Sequence, residues 1–212
     1  LWIRRCRPQL LLAEFGFHAV RVMQAAAWSG LPLVVHFRGS DTSSVAKFQR
    51  LLPAYKRLLP LCAAVIVKSE PMRRTLLELG VSPDRILISP SGADAGRFHG
   101  ADPAAAPPLF LTVGRFVAKK GPLHTIRAFA RMRERWPETR SAELLMVGNG
   151  PLLHKSQTLT RELGLERVIR FVGVQSPDQI AELMRGARAF LQHSLVAPDG
   201  DSEGSPVAVM EA

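Results

Sequence analysis

The sequence predicts an α/β protein built on two parallel, doubly wound sheets, and three observations predict it. Short apolar runs alternate with helix-period segments from Leu10 to Gln192. The alternation stops between His99 and Pro108, where Gly-Ala-Asp-Pro-Ala-Ala-Ala-Pro-Pro offers little to pack and is stiffened by three prolines, and then restarts. The chain has 212 residues, 47% hydrophobic and 22% charged, enough for two modest domains with real cores. The expected organisation is therefore a first domain over residues 1–98, a linker over 99–108 and a second domain over 109–212.

Taken in order, 10–13 reads as a buried strand delivering Glu14, Phe15 and Gly16, and the periodicity of 19–28 predicts a helix closed by Gly30. Residues 31–37 form a second strand that carries Arg38-Gly39-Ser40-Asp41 at its carboxyl end, where ligands sit in open parallel sheets. His36 in that strand reads as a core histidine or as a ligand-facing one. Residues 43–59 are helical in pattern, interrupted at Pro53, with Lys47, Arg50, Lys56 and Arg57 interleaved among apolar residues. Such a basic amphipathic face suits either an ordinary surface helix or an anionic bilayer. A strand over 63–67, a helix over 71–79 stopped by Gly80 and a strand over 86–89 complete the first half. Beyond the prolines, strands over 109–113, 143–147, 169–172 and 189–192 alternate with helices over 123–136, 152–163 and 178–186.

No apolar run approaches the roughly 20 residues that a membrane span needs, and no signal peptide is recognisable, so a cytoplasmic location is expected, with peripheral membrane attachment open. Cys6 and Cys62 indicate neither a disulfide framework nor a zinc site. The net charge of +10 is uneven: residues 1–98 hold 14 Lys and Arg against 6 Asp and Glu, and the remainder 14 against 12. A basic half faces an anionic membrane, an anionic small molecule or nucleic acid. Neither zinc-finger spacing nor an aromatic RNA-binding signature accompanies it, so nucleic acid is not an expected partner.

Three stretches carry candidate chemistry. Gly114-Arg115-Phe116-Val117-Ala118-Lys119-Lys120-Gly121 puts three cations in the loop after a strand, suited to a diphosphate, because Arg offers a planar fork and Lys a point charge. Solvated cations are the alternative. Gly148-Asn149-Gly150-Pro151 is a glycine turn, but a dinucleotide fingerprint would need glycine where Leu153 stands, which disfavours a nicotinamide cofactor. The last stretch, 189–212, places Glu203 before a helix start and Glu211 inside the helix. Ser205 is the expected cap and Pro206 the expected first residue. Its amides would meet phosphate and its carboxylates hydroxyls, or it is simply a capped helix with two solvated glutamates.

These stretches resemble the retaining glycosyltransferases of family 4, of the GT-B fold with two Rossmann-like domains. Glu203-Gly204-Ser205-Pro206 and Glu211 are similar to the family's Glu-x7-Glu motif, Gly114-Arg115 with Lys120-Gly121 to its Gly-Arg…Lys-Gly segment, and Val147 to Pro151 to its glycine turn near the nucleotide. Phe171-Val172-Gly173-Val174 resembles the strand end whose main chain meets the nucleobase. The resemblance implies transfer of a sugar from a nucleotide diphosphate sugar to a saccharide or lipid-linked saccharide acceptor, with retained anomeric configuration. It gives catalytic roles to Arg115, Lys120 and Glu203. It gives donor contacts to Gly114, Gly148, Asn149, Gly150, Val174, Gly204, Ser205, Pro206, Val207 and Glu211.

On the acceptor side, Leu-Ala-Glu-Phe-Gly and Val-Val-His-Phe-Arg-Gly-Ser-Asp look like relatives that build bacterial surface polysaccharides, which brings in His36, Arg38 and Gly39. Many relatives have His where Arg38 stands, so that role is not carried to Arg38. Asp199-Gly200-Asp201 matches the Asp-x-Asp metal motif of the other large glycosyltransferase fold, yet Arg115 and Lys120 already supply the charge a metal would. No metal or cofactor is expected. Both domains are expected to be incomplete, because relatives begin earlier and continue past the second glutamate. A nucleotide-sugar epimerase of similar fold, or an inactive nucleotide-binding fragment, stays as the alternative.

Overall fold

The computed structural model describes residues 5–43 and 45–212, which divide into two compact units. Of the described residues, those up to 91 together with 197–205 form one unit, and 92–196 with 206–212 the other. In the first unit four parallel strands lie in the order β1 (Leu11–Glu14), β2 (Leu33–His36), β3 (Cys62–Val67) and β4 (Ile86–Ile88). Register follows the apolar alternation: Leu33 and Val35 are buried on β2, and Glu14 and Ile66 both lie opposite His36. The connecting helices Gly16–Ser29, Val45–Leu58 and Glu70–Glu78 bring Ala19, Tyr55, Leu58 and Leu76 onto Val35, Phe37, Val65 and Val67. Burying each such large side chain contributes roughly 1.5–3 kcal/mol, which holds the strand ends in place.

Gly30 closes the first helix in the left-handed conformation, its N–H donating to Ala26 and Ala27, as expected for a C-terminal glycine. The expectation of a break at Pro53 fails. The helix Val45–Leu58 runs through the proline, because Pro53 sits on the exposed side while Tyr55 and Leu58 anchor the same helix in the core. Residue 44, inside the stretch expected to be helical, lies outside the described residues; before it Ser40–Ser43 form a separate short helix.

In the second unit the order is β7 (Ile169–Gly173), β6 (Glu143–Val147), β5 (Leu109–Val113) and β8 (Ala189–Phe190), all parallel. Along β6 the side chains part by period two. Leu144 and Met146 join Phe116, Ile126, Phe129 and Ile169 in one cluster, and Leu145 and Val147 join Leu111, Met184 and Ala187 in another. Apolar packing on both faces is what makes this sheet doubly wound. The helix Pro122–Arg135 supplies the first cluster and Pro177–Arg185 the second. The latter starts on a capping box in which Ser176 accepts from the Gln179 amide and Gln179 accepts from the Ser176 amide.

This unit begins at Gly92, ahead of the proline-rich stretch. Phe98 packs into its second cluster, Arg97 Nε lies 2.9 Å from Asp178 Oδ1, and Arg185 donates to the Arg97 carbonyl at 3.1 Å. Within 99–108, Ala106 is buried and its carbonyl accepts from the Arg188 guanidinium. Among the described residues no helix is long and apolar enough to cross a membrane.

Candidate functional site

Strand order in the second unit reverses at β5, with β6 and β7 to one side and β8 to the other. In parallel sheets such a reversal opens a crevice at the carboxyl ends of the strands, where ligands bind. The loop Gly114–Gly121 leaves β5 at this point. Gly114, Arg115 and Lys120 line a narrow cleft with Thr112, Phe116 and Gln192. Lys120 lies back across Gly114, its side-chain carbons 3.6–3.9 Å from where a Cβ on Gly114 would sit, an ordinary contact distance. The single turn Ala118–Lys120 ends at Gly121 in the left-handed region (φ 58°), and Pro122 opens the next helix. Gly121 is also fixed by close approach: a Cβ would stand 2.9 Å from His193 Cβ. His193 Nδ1 is in turn 3.1 Å from Thr125 Oγ1.

The turn Gly148-Asn149-Gly150 braces this loop from behind. A side chain on Gly148 would overlap the Gly114 carbonyl oxygen, and one on Gly150 would come within 2.7 Å of the Phe116 oxygen. Gly114 N–H donates to Val147 (3.0 Å), Phe116 N–H to the Asn149 carbonyl (3.0 Å), and Gly148 N–H to the Gly173 carbonyl (2.7 Å). The Asn149 side-chain oxygen accepts from the Gly150 amide at 2.7 Å. These glycines are therefore spacers that let two strand-end loops touch and so set the position of Arg115. Val174, next after Gly173, is exposed.

In the first unit the ends of β1 and β2 hold a connected polar group. Glu14 Oε2 accepts from Arg38 at 3.0 Å, and Glu14 Oε1 lies 3.3 Å from His36 Nδ1. Burial raises the Glu14 pKa, but hydrogen bonds and charge from Arg38 and His36 outweigh it and hold the carboxyl below its ordinary value. Among the described residues the buried His36 Nε2 has no hydrogen-bond partner, so the reading of a satisfied core histidine is met at one ring nitrogen only. Asp41 is fully buried and accepts from the backbone amides of Gly16 (3.0 Å), Arg38 (3.1 Å) and Gly39 (2.9 Å). It ties the turn after β2 to the start of the helix Gly16–Ser29. The sequence reads Asp41 without this role; an Asp four residues past a strand's last apolar residue, with glycine between, is the available signal. Gln192, which lines the cleft, was not a candidate, since it belongs to no recognisable pattern.

The last stretch folds differently from its expected cap. The helix is Val207–Glu211, Pro206 occupies the position before it, and among the described residues no side-chain hydrogen bond is made at that capping position. The Ser205 hydroxyl instead accepts from the Ser91 amide at 2.9 Å, a partner distant in sequence that local pattern reading has no access to. Glu203 and Gly204 belong to the first unit: Gly204 approaches Ser69 Oγ and Met72, and both line a cavity of about 230 Å³ with Gly39, Thr42 and Ser69. Pro206, Val207 and Glu211 belong to the second unit, where Ala208 packs on the Leu111–Val147 cluster. Burial pushes the Glu211 carboxyl up against the opposing pull of Arg97. In the Asp199-Gly200-Asp201 loop, Asp199 Oδ1 accepts the Asp201 amide at 3.1 Å and Gly200 N–H donates to Ala197, a tight turn.

The chain has counterparts among known proteins. Residues 100–212 match the family described as glycosyl transferases group 1, and residues 1–97 match Glycosyltransferase Family 4. The chain is 29% identical over 212 residues to the putative colanic acid biosynthesis glycosyltransferase WcaL of Escherichia coli (strain K12), covering 97% of this chain and 51% of that protein. WcaL of Salmonella typhimurium is 32% identical over 178 residues, 83% of this chain and 43% of that one. The chain thus spans about half the length of these curated relatives. The crystal structure of Anabaena HepE in complex with UDP and glucose superposes with a TM-score of 0.72 at 18% identity, over 94% of this chain and 56% of that one, which establishes the GT-B fold. This chain belongs to the glycosyl transferases group 1 family, in its GT-B, family 4 branch.

Proposed function

We propose that the protein is a retaining, metal-independent glycosyltransferase that moves a sugar from a nucleotide diphosphate sugar to a hydroxyl acceptor in surface-polysaccharide biosynthesis. In this reaction the bond between the anomeric carbon and the diphosphate oxygen breaks, a bond to the acceptor oxygen forms, and the acceptor's hydroxyl proton is released. The observation that carries the reading is the Arg115–Lys120 loop, held by glycine spacers at the point where strand order reverses. A fork and a point charge there suit the departing diphosphate, whose charge grows as the bond breaks. The names of the WcaL relatives support the polysaccharide context, and the UDP held by HepE supports a nucleotide donor. On this reading Glu203 holds sugar hydroxyls and Glu211 the ribose.

Calorimetric titration of UDP and GDP into this chain, with and without excess chelator, tests the proposal. Expected is micromolar binding of one of them, unaffected by chelator and weakened at least tenfold in Arg115→Ala. Binding that disappears with chelator would assign the diphosphate to a metal instead, and binding indifferent to Arg115→Ala would remove the loop from the site.

A further inference from the structure

The register of the first sheet sets two cations side by side. Val35 lies opposite Val65 and His36 opposite Ile66, and Phe37 N–H donates to the Ile66 carbonyl at 2.8 Å, so the parallel pairing continues one residue past the end of β2, alongside the last residues of β3. Arg38 and Lys68 are the next residues out, Arg38 two after His36 and Lys68 two after Ile66. Like charges just beyond the ends of two paired strands repel, and an anion held between them would offset that repulsion.

The protein supplies little of that charge. Glu14 reaches Arg38, but shares its carboxylate with His36. Asp41 is turned inward, its oxygens taken by three backbone amides. Glu70, the next acidic residue along the chain, is drawn to Arg73 at 3.3 Å and Arg74 at 3.8 Å. Glu203 lines the adjoining cavity with Gly39 and Ser69. Among the described residues no carboxylate comes within ion-pair distance of the Lys68 ammonium. Burial first, and then the charge of Arg38, lower the Lys68 pKa against the pull of Glu14. Arg38 spends one of its five N–H donors on Glu14, and its side chain remains 41% exposed.

We propose that Arg38 and Lys68 form a binding site for a phosphoryl group carried by the acceptor substrate. The inference rests on the transferase reading for the word acceptor, and on the strand-end geometry for the site itself. A phosphoryl group fits better than a carboxylate, since it presents three oxygens and up to two charges to a planar fork and an adjacent ammonium. The site lies in the first unit, whereas Arg115 and Lys120 belong to the second, so it is not the diphosphate loop described above.

Binding of four probes to this chain separates the possibilities: galactose, galactose 1-phosphate, glucuronate and farnesyl diphosphate, each titrated with UDP as a control ligand. Expected is that galactose 1-phosphate or farnesyl diphosphate binds at least tenfold more tightly than galactose. Lys68→Gln should weaken that binding at least tenfold and Lys68→Arg should restore most of it, with UDP affinity changed less than twofold in both variants. A stronger response to farnesyl diphosphate identifies a lipid-linked source, and equal responses a phosphorylated sugar. Glucuronate matching the phosphate ester, phosphorylated probes no better than galactose, or Lys68→Gln weakening UDP instead would each overturn the site. Should UDP fail to bind any form while phosphorylated probes still depend on Lys68, the donor reading fails and the phosphoryl site stands.

Discussion

At the residue scale, the polar group at the end of β1 and β2 is where sequence and structure differ most. Glu14 was legible as the residue after an apolar run and as part of the Leu-Ala-Glu-Phe-Gly segment, but not as the carboxylate that joins His36 and Arg38. Its pKa lies below the ordinary 4.5 because those two partners outweigh burial. A carboxyl whose folded pKa is depressed contributes stability that is fully present above the unfolded value and is lost as pH falls through the folded one. Glu14 is 44% exposed, so screening keeps the contribution to at most about 1 kcal/mol. Urea midpoints of the natural protein and Glu14→Gln should therefore be separated at pH 6 and converge toward pH 3. A gap of constant size across that range would show that Glu14 acts through packing rather than charge.

At the element scale, strands and helices were legible wherever burial sets a period. Strands 109–113 and 143–147 have the boundaries that their apolar runs indicate, because both faces of each are packed. Partners distant in sequence were not legible: Ser205 reads as a helix cap, and its hydroxyl is taken by Ser91. Pro53 shows a third outcome, in which a local rule is overridden by packing. Tyr55 and Leu58 hold the helix Val45–Leu58 together across the proline, at the loss of the hydrogen bond to the carbonyl of residue 49. Restoring an N–H there gains part of the roughly 3 kcal/mol that separates proline from alanine in a helix, less what proline gains by restricting the unfolded chain. Pro53→Ala is expected to raise stability by about 1–2 kcal/mol, read as a higher urea midpoint. A lower midpoint would mean that the ring itself packs on a neighbour.

At the scale of the whole molecule, family and fold were legible because the motifs lie at strand ends, and strand ends are where a parallel sheet displays loops. Stability is a separate matter, because the two units have their own apolar cores. Leu76 is fully buried in the first and Ile126 in the second. Truncating either to alanine removes apolar contacts and leaves a cavity, typically at a loss of about 2–5 kcal/mol, a large fraction of a small domain's stability. Chains with separate cores depart from two-state unfolding when each core melts on its own. Calorimetry should then resolve two transitions, with Leu76→Ala lowering one and Ile126→Ala lowering the other. Since Arg115 and Lys120 belong to the second unit, UDP should raise the transition that Ile126→Ala lowers and leave the other in place, because a ligand stabilises only the unit that binds it. A single transition moved by both substitutions would instead make this chain one cooperative unit, and UDP would then protect all of it.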